Sequence, residues 1–249
     1  MTTCADVRPE AEALSVVPHG ASVGVLMTHG FTGSTASLRP WADALVSEGY
    51  AVSVPRLAGH GTHWREMALT EWQDWYAGVE QAYDALASEV GTVFVAGLSM
   101  GGSLALRVAE REKVAGIILV NPSIASRDPA MLALPVLKFA VSSIGAIAND
   151  IALEGQEEHA YPRTPLAAAH SMTKLWADVR AGLCDVTCPA LLLTSRVDHV
   201  VDSLGGMILE EKLPRLRRVW LERSYHVATL DHDAETIIAE SLAFLQEHS

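Results

Sequence analysis

Cysteine and positive charge are both scarce in this chain of 249 residues. The three cysteines, Cys4, Cys184 and Cys188, match neither a disulfide framework nor the paired Cys-x-x-Cys spacing of a structural zinc site, so we expect free thiols. With 18 Lys and Arg against 30 Asp and Glu, the formal net charge is −12. A protein of this charge repels phosphate backbones, and we therefore expect no nucleic-acid partner.

Long apolar runs are missing as well. No stretch reaches the roughly 18 apolar residues that a membrane-spanning helix needs. The first 13 residues, MTTCADVRPEAEA, lack the basic start and apolar stretch of a signal peptide. We expect a cytoplasmic protein without stable membrane insertion, while no feature of the sequence indicates an oligomeric state.

Apolar sequence is instead present in short pieces. Hydrophobic residues make up 49% of the chain and charged residues 19%, a composition that excludes a disordered chain. Short β-rich runs alternate with helical patterns, which predicts a mostly parallel sheet flanked by helices in a single α/β domain covering residues 1–249. The runs are residues 22–27, 50–54, 92–96, 115–120, 190–194 and 218–221.

Helices are predicted between these runs. One covers about residues 38–48 and is closed by Gly49, and the last covers about 234–246. Apolar residues at three- and four-residue steps predict another across 72–86, with Thr70 and Gln73 as its capping box.

Residues 121–187 interrupt the alternation, because the segment is too long for an ordinary connection and contains apolar residues at helical spacing. We expect an inserted cap at 124–176. Insertions of this kind lie at the carboxyl edge of a parallel sheet, where open α/β sheets bind ligands. Part of the apolar surface of the cap should then line a substrate pocket.

The sequence GLSMGG at 97–102 directly follows a predicted strand and precedes a predicted helix. A bare Gly-x-Ser-x-Gly motif arises by chance in very roughly one chain of this length in ten. Its position between a strand and a helix, however, is typical of a nucleophile elbow, in which glycines let the serine adopt a strained conformation with its hydroxyl accessible. Ser99 is therefore the candidate nucleophile.

A serine hydroxyl needs a base, and after an elbow of this type the acid and then the histidine follow along the chain. His226 lies between the last predicted strand and the last helix, where a loop can reach the elbow. It is the candidate base, ahead of four histidines that are more simply surface residues. These are His159, His170, His232 and His248.

The acid should lie on the loop after the next-to-last strand. Asp198 is there, with Asp202 as the alternative and Asp185 too early in the chain. An aspartate at this place holds the imidazole in the tautomer that accepts the serine proton. We interpret His199 as a loop residue rather than a second base.

The oxyanion of an acyl-transfer reaction needs backbone N–H donors. The usual donors are the residue after the nucleophile and a residue in the loop after the first central strand, here Met100 and Phe31. His29 is interpreted as a hydrogen-bonding brace for that loop. No phosphate-binding loop, HExxH motif or carboxylate cluster is present, so we expect neither a cofactor nor a metal.

Together, the motifs HGFTGS, LAGHGTH, GLSMGG, SRVDHVV and SYHVATLDHD resemble the carboxylesterase and monoacylglycerol lipase family described from Bacillus. The resemblance covers essentially the whole chain. It implies an α/β-hydrolase fold with a small cap, a triad of Ser99, Asp198 and His226, and oxyanion donors at Phe31 and Met100.

The expected activity is cleavage of carboxylic esters, most simply monoacylglycerols or short-to-medium-chain acyl esters. Thioesterase, peptidase and carbon–carbon hydrolase activities use the same triad, and a non-catalytic ligand-binding protein can keep the fold, so these alternatives remain. Within the cap, Asn149, Glu154 or Glu157 are candidates to bind the glycerol hydroxyls.

Overall fold

A seven-stranded sheet forms the centre of the protein, in a computed structural model that describes residues 6–249. The sheet order is β1-β3-β2-β4-β5-β8-β9, and every pair is parallel except β1 with β3 at one edge. The separate pair β6-β7 is antiparallel. The strands are β1 (Leu14–Val16), β2 (Val23–Thr28), β3 (Ala51–Val54), β4 (Thr92–Leu98), β5 (Gly116–Val120), β6 (Ser143–Gly145), β7 (Arg163–Pro165), β8 (Ala190–Ser195) and β9 (Leu216–Leu221).

Helices cover both faces of this sheet. The α-helices of residues 6–249 are α1 (Arg39–Ser47), α2 (Trp64–Met67), α3 (Trp72–Glu89), α4 (Met100–Arg111), α5 (Leu134–Ala140), α6 (Leu166–Gly182), α7 (Leu204–Lys212) and α8 (Ala234–His248), of which α5 lies in the segment between β5 and β8. Side chains alternate along β2, so that Leu26 joins the core under α3 and α4 while Val25 and Met27 join the core under α1 and α8. Because the central strands are buried on both faces, they contain continuous apolar runs.

The predicted architecture, a mostly parallel sheet flanked by helices, is confirmed, and each predicted run forms a strand whose ends lie within two residues of the expected ones. The predicted capping box of α3 is wrong by one residue. The Asp74 carboxylate accepts from the Glu71 N–H (2.8 Å). The hydroxyl of Thr70 instead donates to the Met67 carbonyl (2.9 Å) and accepts from the Trp75 indole N–H (2.8 Å).

The expected cap segment, residues 124–176, lies between β5 and β8. It contains a 3₁₀ turn at Pro129–Ala133, α5, the β6-β7 pair and the first part of α6. Helix α6 continues to Gly182 and packs against α3 and α4, so its second half belongs to the helical layer on the sheet. The first part of α6 also packs against α5, which joins the segment to that layer.

Two of the cysteines can be located. Cys184 is exposed and Cys188 is half-buried, and both are free thiols as expected, whereas Cys4 lies outside the described residues. Among residues 6–249, no helix combines the length and the apolar character that crossing a bilayer requires.

The turn between β4 and α4 brings two backbone segments unusually close. A Cβ atom on Gly101 would lie 2.0 Å from the carbonyl oxygen of Thr28, and one on Gly97 would lie 2.2 Å from the carbonyl oxygen of Gly101. The Thr28 hydroxyl donates to the Gly101 carbonyl (2.7 Å), which fixes the start of α4 against the end of β2. Only glycine fits at these two positions.

We expect Gly101→Ala to lower the free energy of unfolding by about 3 kcal/mol, because the new methyl group meets backbone atoms that cannot move independently. Gly78→Ala is the matched control, since a Cβ at Gly78 within α3 meets no atom within 4 Å. The free energy of unfolding of Gly78→Ala should rise by about 0.5–1 kcal/mol, because alanine has the higher helix propensity. Urea unfolding followed by circular dichroism measures both changes, and equal stabilities of the two variants would contradict this packing.

Candidate active site

Ser99 occupies the turn between β4 and α4. Its backbone has φ 57° and ψ −120°, a conformation that residues other than glycine rarely adopt. The Ser99 N–H donates to the Val120 carbonyl (3.0 Å), and the Ser99 carbonyl accepts from the N–H groups of Gly102 (2.9 Å) and Ser123 (3.0 Å). These bonds hold the strained turn, and its serine side chain lines a cavity at the carboxyl edge of the sheet.

His226 and Asp198 lie on the loops after β9 and β8, and their side chains are in direct contact. The distance from His226 Nδ1 to Asp198 Oδ2 is 2.8 Å. Asp198 Oδ1 accepts from the N–H groups of Val200 (2.8 Å) and Val201 (2.7 Å), so both carboxylate oxygens are engaged. The ionised carboxylate accepts from Nδ1–H, which leaves Nε2 of the neutral imidazole free to accept a proton.

The two side chains alter each other's pKa. Burial alone would raise the pKa of Asp198, but the hydrogen bond and charge of His226 and the two loop amides lower it below its usual value. Burial alone would likewise lower the pKa of His226, and the contact with Asp198, helped by the charges of Glu158 and Asp150, raises it instead. The pair therefore favours an ionised aspartate beside an imidazole that readily becomes protonated.

The alternative residues lie elsewhere. Ser99 and His226 line the same cavity, and His226 is the one histidine of residues 6–249 that does so. His159 and His232 are exposed, and His170 contacts Lys138 between α6 and α5. The Asp202 carboxylate accepts from the N–H groups of Arg127 (2.6 Å) and Leu204 (2.8 Å) rather than from an imidazole.

The amides of Phe31 and Met100 flank the serine turn. Phe31 lines the cavity, and Met100 is the first residue of α4, where the helix dipole favours negative charge. Neither amide has a hydrogen-bond partner within the part of the chain that the structure describes. The two N–H groups are consequently available for an oxyanion.

The loop that contains Phe31 is fixed by His29. Its Nδ1 lies 3.0 Å from the Gly30 carbonyl, and its Nε2 accepts from the Leu57 N–H (3.3 Å). Complete burial lowers the pKa of His29 to about 4, so the ring is neutral and can act as donor and acceptor at once. The predicted role as a brace is confirmed.

The cavity next to Ser99 has a volume of about 310 Å³ and a largely apolar wall. Residues of the segment 124–176 supply most of that wall, including Met131, Ile144, Ile147, Met172 and Trp176. Other apolar residues of the segment point away, and Leu132 and Phe139 are each 85% exposed.

Three acidic residues of this wall were not singled out from the sequence, namely Asp128, Asp150 and Glu158. Glu158 is the most deeply buried of them. It is buried beside the cavity, and that burial raises its pKa, although the charge of His226 acts in the opposite direction. The three residues expected to meet an alcohol group do not line the cavity. Glu154 and Glu157 are exposed, and the Asn149 side chain accepts from the Glu158 N–H (2.8 Å).

The chain matches known proteins over most of its length. Residues 21–233 match a family described as "Serine aminopeptidase, S33". The thermostable monoacylglycerol lipase of Bacillus sp. (strain H-257) is 40% identical over 235 residues, which cover 91% of this chain and 92% of that protein. The carboxylesterase of Bacillus subtilis (strain 168) is 27% identical over 231 residues, covering 92% of this chain and 94% of that protein.

A solved structure is similar to this chain over nearly its whole length. A structure described under "LipS and LipT, two metagenome-derived lipolytic enzymes" has a TM-score of 0.94 and 40% identity, covering 98% of this chain and all (100%) of that one. These matches confirm the resemblance that the five motifs indicated and the α/β-hydrolase fold.

The imidazole of His226 should titrate above its ordinary pKa of 6.5, because the adjacent carboxylates stabilise the imidazolium. Replacing Asp198 with Asn should lower that pKa, because it removes the hydrogen-bonded charge that contributes most to raising it. NMR titration of labelled histidine measures it, with the signal assigned by its loss in His226→Gln. Asp202→Asn is the control, and an equal shift in both Asn variants would contradict the assignment of the partner.

Proposed function

Since this chain belongs to the α/β-hydrolase family described as "Serine aminopeptidase, S33", we propose that it is a serine ester hydrolase whose preferred substrates are monoacylglycerols. The observation that carries the proposal is the convergence of Ser99 and His226 on one largely apolar cavity, with Asp198 bonded to the far side of the imidazole. The 40% identity to a monoacylglycerol lipase supports an ester as the substrate.

In the first half of the reaction, the Ser99 hydroxyl attacks the carbonyl carbon of the ester, and its proton passes to Nε2 of His226. The negative charge that forms on the carbonyl oxygen accepts hydrogen bonds from the N–H groups of Phe31 and Met100. Asp198 stabilises the imidazolium through the Nδ1 hydrogen bond. His226 then protonates the departing alkoxide, so the alcohol leaves and the acyl group stays on Ser99.

In the second half, water replaces the alcohol. His226, neutral again, takes a proton from the water as its oxygen attacks the acyl-enzyme, and the same two amides bind the second oxyanion. The imidazolium returns the proton to the Ser99 oxygen as the fatty acid leaves. The sequence of steps consumes one water and restores every group of the site.

Ser99→Ala should abolish ester hydrolysis while leaving the protein folded, because it removes a cavity-lining hydroxyl and no core volume. A fluorophosphonate probe should label the wild type and not the variant, since the probe reacts only with an activated serine. Unchanged hydrolysis in the folded variant would refute the mechanism. A wild type that is not labelled would favour a ligand-binding protein.

The size of the cavity suits a substrate with a single acyl chain. Its volume of about 310 Å³ is at the small end of the range for ligand sites. We propose that residues 124–176 act as a cap over the substrate, and that Ile144 and Ile147 of this cap contact the acyl chain of the ester. Each buried methylene contributes about 0.8 kcal/mol, so binding improves with chain length until the cavity is full.

Glu158 is proposed to meet the alcohol part of the substrate. The Glu158 carboxylate borders the cavity, where the hydroxyl groups of glycerol can donate hydrogen bonds to it. A methyl ester leaves this carboxylate without such a partner. Di- and triacylglycerols add acyl chains that a cavity of about 310 Å³ does not accommodate.

We therefore expect kcat/KM to be higher for a monoacylglycerol than for the methyl ester of the same acid, and lower for the triacylglycerol. Glu158→Gln should reduce the ratio of monoacylglycerol to methyl ester by about tenfold, the equivalent of one hydrogen bond to a charged group. Any effect on His226 cancels in this ratio.

Glu157→Gln is the matched control, because Glu157 is the exposed neighbour and should leave the ratio unchanged. All rates are measured below the aggregation limits of the substrates. Equal rates for monoacylglycerol and methyl ester would reduce the assignment to a general carboxylesterase. Faster cleavage of an acyl thioester or an aminoacyl anilide would favour a thioesterase or a peptidase.

A further inference from the structure

The backbone of His226 is held by two side chains that lie outside its own loop. Its N–H donates to Asp150 Oδ2 (3.1 Å), and its carbonyl accepts from Asn121 Nδ2 (2.8 Å). The next N–H, that of Val227, donates to the backbone carbonyl of Asp150 (3.1 Å). The position of the imidazole thus depends on the end of β5, through Asn121, and on the segment 124–176, through Asp150.

The Asp150 carboxylate also reaches the loop that contains the candidate acid. Its Oδ2 accepts from the backbone N–H of His199 (3.2 Å), and its Oδ1 lies 2.7 Å from Nδ1 of the same residue. His199 directly follows Asp198. A single side chain, only 11% exposed, therefore connects the segment 124–176 with both loops that meet at the Asp198–His226 contact.

The same carboxylate contributes charge to the base. The ionisable groups that act on His226 are Asp198 on the loop after β8, and Glu158 and Asp150 on the segment 124–176. All three raise the pKa of His226 against the effect of burial. Asp150 lines the cavity together with Ser99, so its charge lies on the side where the substrate binds.

We propose that Asp150 is a positioning residue that fixes the backbone of His226 relative to Asp198 and, by its charge, favours the protonated form of the imidazole. The inference rests on the proposed function, in which His226 is the base. It assigns to the segment 124–176 a part in catalysis besides enclosing the substrate.

Two substitutions separate the two roles. In Asp150→Asn the amide oxygen can accept from the backbone N–H groups of His226 and His199 as before. The exposed imidazole of His199 can change tautomer and accept from the amide NH₂, so the anchor is kept and only the charge is lost. In Asp150→Ala both the anchor and the charge are lost.

The experiment measures hydrolysis of glycerol monobutyrate by titration of the released acid, across about pH 5 to pH 9. In Asp150→Asn, kcat at high pH should stay within about threefold of the wild type, while the acidic limb of the kcat/KM profile moves down by about half a pH unit. The limb moves down because an imidazole without the neighbouring charge loses its proton at lower pH. In Asp150→Ala, kcat should also fall by about 10- to 100-fold at high pH, with a smaller change in KM.

Asp202→Asn is the matched control. Asp202 also connects the segment 124–176 to the loop after β8, through the Arg127 N–H, but it does not contact His226. Its pH profile should match the wild type. Thermal unfolding measures whether each variant is folded. If Asp150→Ala is unstable, the acidic limb of the kcat/KM profile of Asp150→Asn still tests whether the charge of Asp150 acts on His226.

An Asp150→Asn limb that coincides with the wild type, or a wild-type kcat in folded Asp150→Ala, would overturn the proposal. Fluorophosphonate labelling of the wild type separates this failure from that of the proposed function. An unlabelled wild type overturns both. A labelled wild type with unaltered Asp150 variants overturns the positioning role alone.

Discussion

Ser99 keeps its unusual backbone conformation, with φ 57°, because α4 begins in direct contact with the ends of β2 and β4. The approach is so close that a single methyl group on Gly101 would overlap the Thr28 carbonyl. This contact determines the direction of the Ser99 side chain and places the Met100 amide beside it at the first turn of α4. The loops after β2, β8 and β9 begin at the same edge of the sheet, so the side chains and amides of these loops can lie close to Ser99.

The buried histidines show how partners decide the state of an imidazole. Burial lowers the pKa of His29 to about 4 and that of His60 to about 3, since neither ring has a carboxylate partner and each stays neutral. His226 is as deeply buried, yet its pKa is raised, because three carboxylates surround it. The same desolvation thus yields a neutral structural ring at two positions and a proton-accepting ring at the third.

Much of the fold followed from the sequence, because buried parallel strands require continuous apolar runs and the alternation with helices fixes their direction. Ser99, Asp198 and His226 could be chosen because each lies in the turn or loop that follows a predicted strand, so their approximate place at the sheet edge depends on topology alone. The edge strand β1 escaped prediction, since Leu14–Val16 is only three residues long and half exposed.

The segment 124–176 was less predictable for a physical reason. Between α5 and α6 the segment follows turns and the short β6-β7 pair rather than a helix, so spacing there does not reveal which apolar side chains face the cavity. Ile147 lines it, whereas Phe139 points to solvent. Glu157 and Glu158 are adjacent and chemically alike, but only Glu158 is buried. Such differences arise from backbone hydrogen bonds, for example from the Glu158 N–H to Asn149, that no periodic pattern reports.

The placement of that segment has a consequence for the site as a whole. Besides Asp150, the buried carboxylate of Asp231 accepts from the N–H groups of Ala152 (2.7 Å), Leu153 (2.9 Å) and Tyr225 (2.9 Å). Two side chains therefore join residues 150–153 to the loop that contains His226. Since residues of the same segment form the cavity wall, the surface proposed to contact the acyl chain and the support of the imidazole are one connected structure. A displacement of the wall by an oversized substrate would strain these hydrogen bonds, which couples selection by size to the geometry of the base.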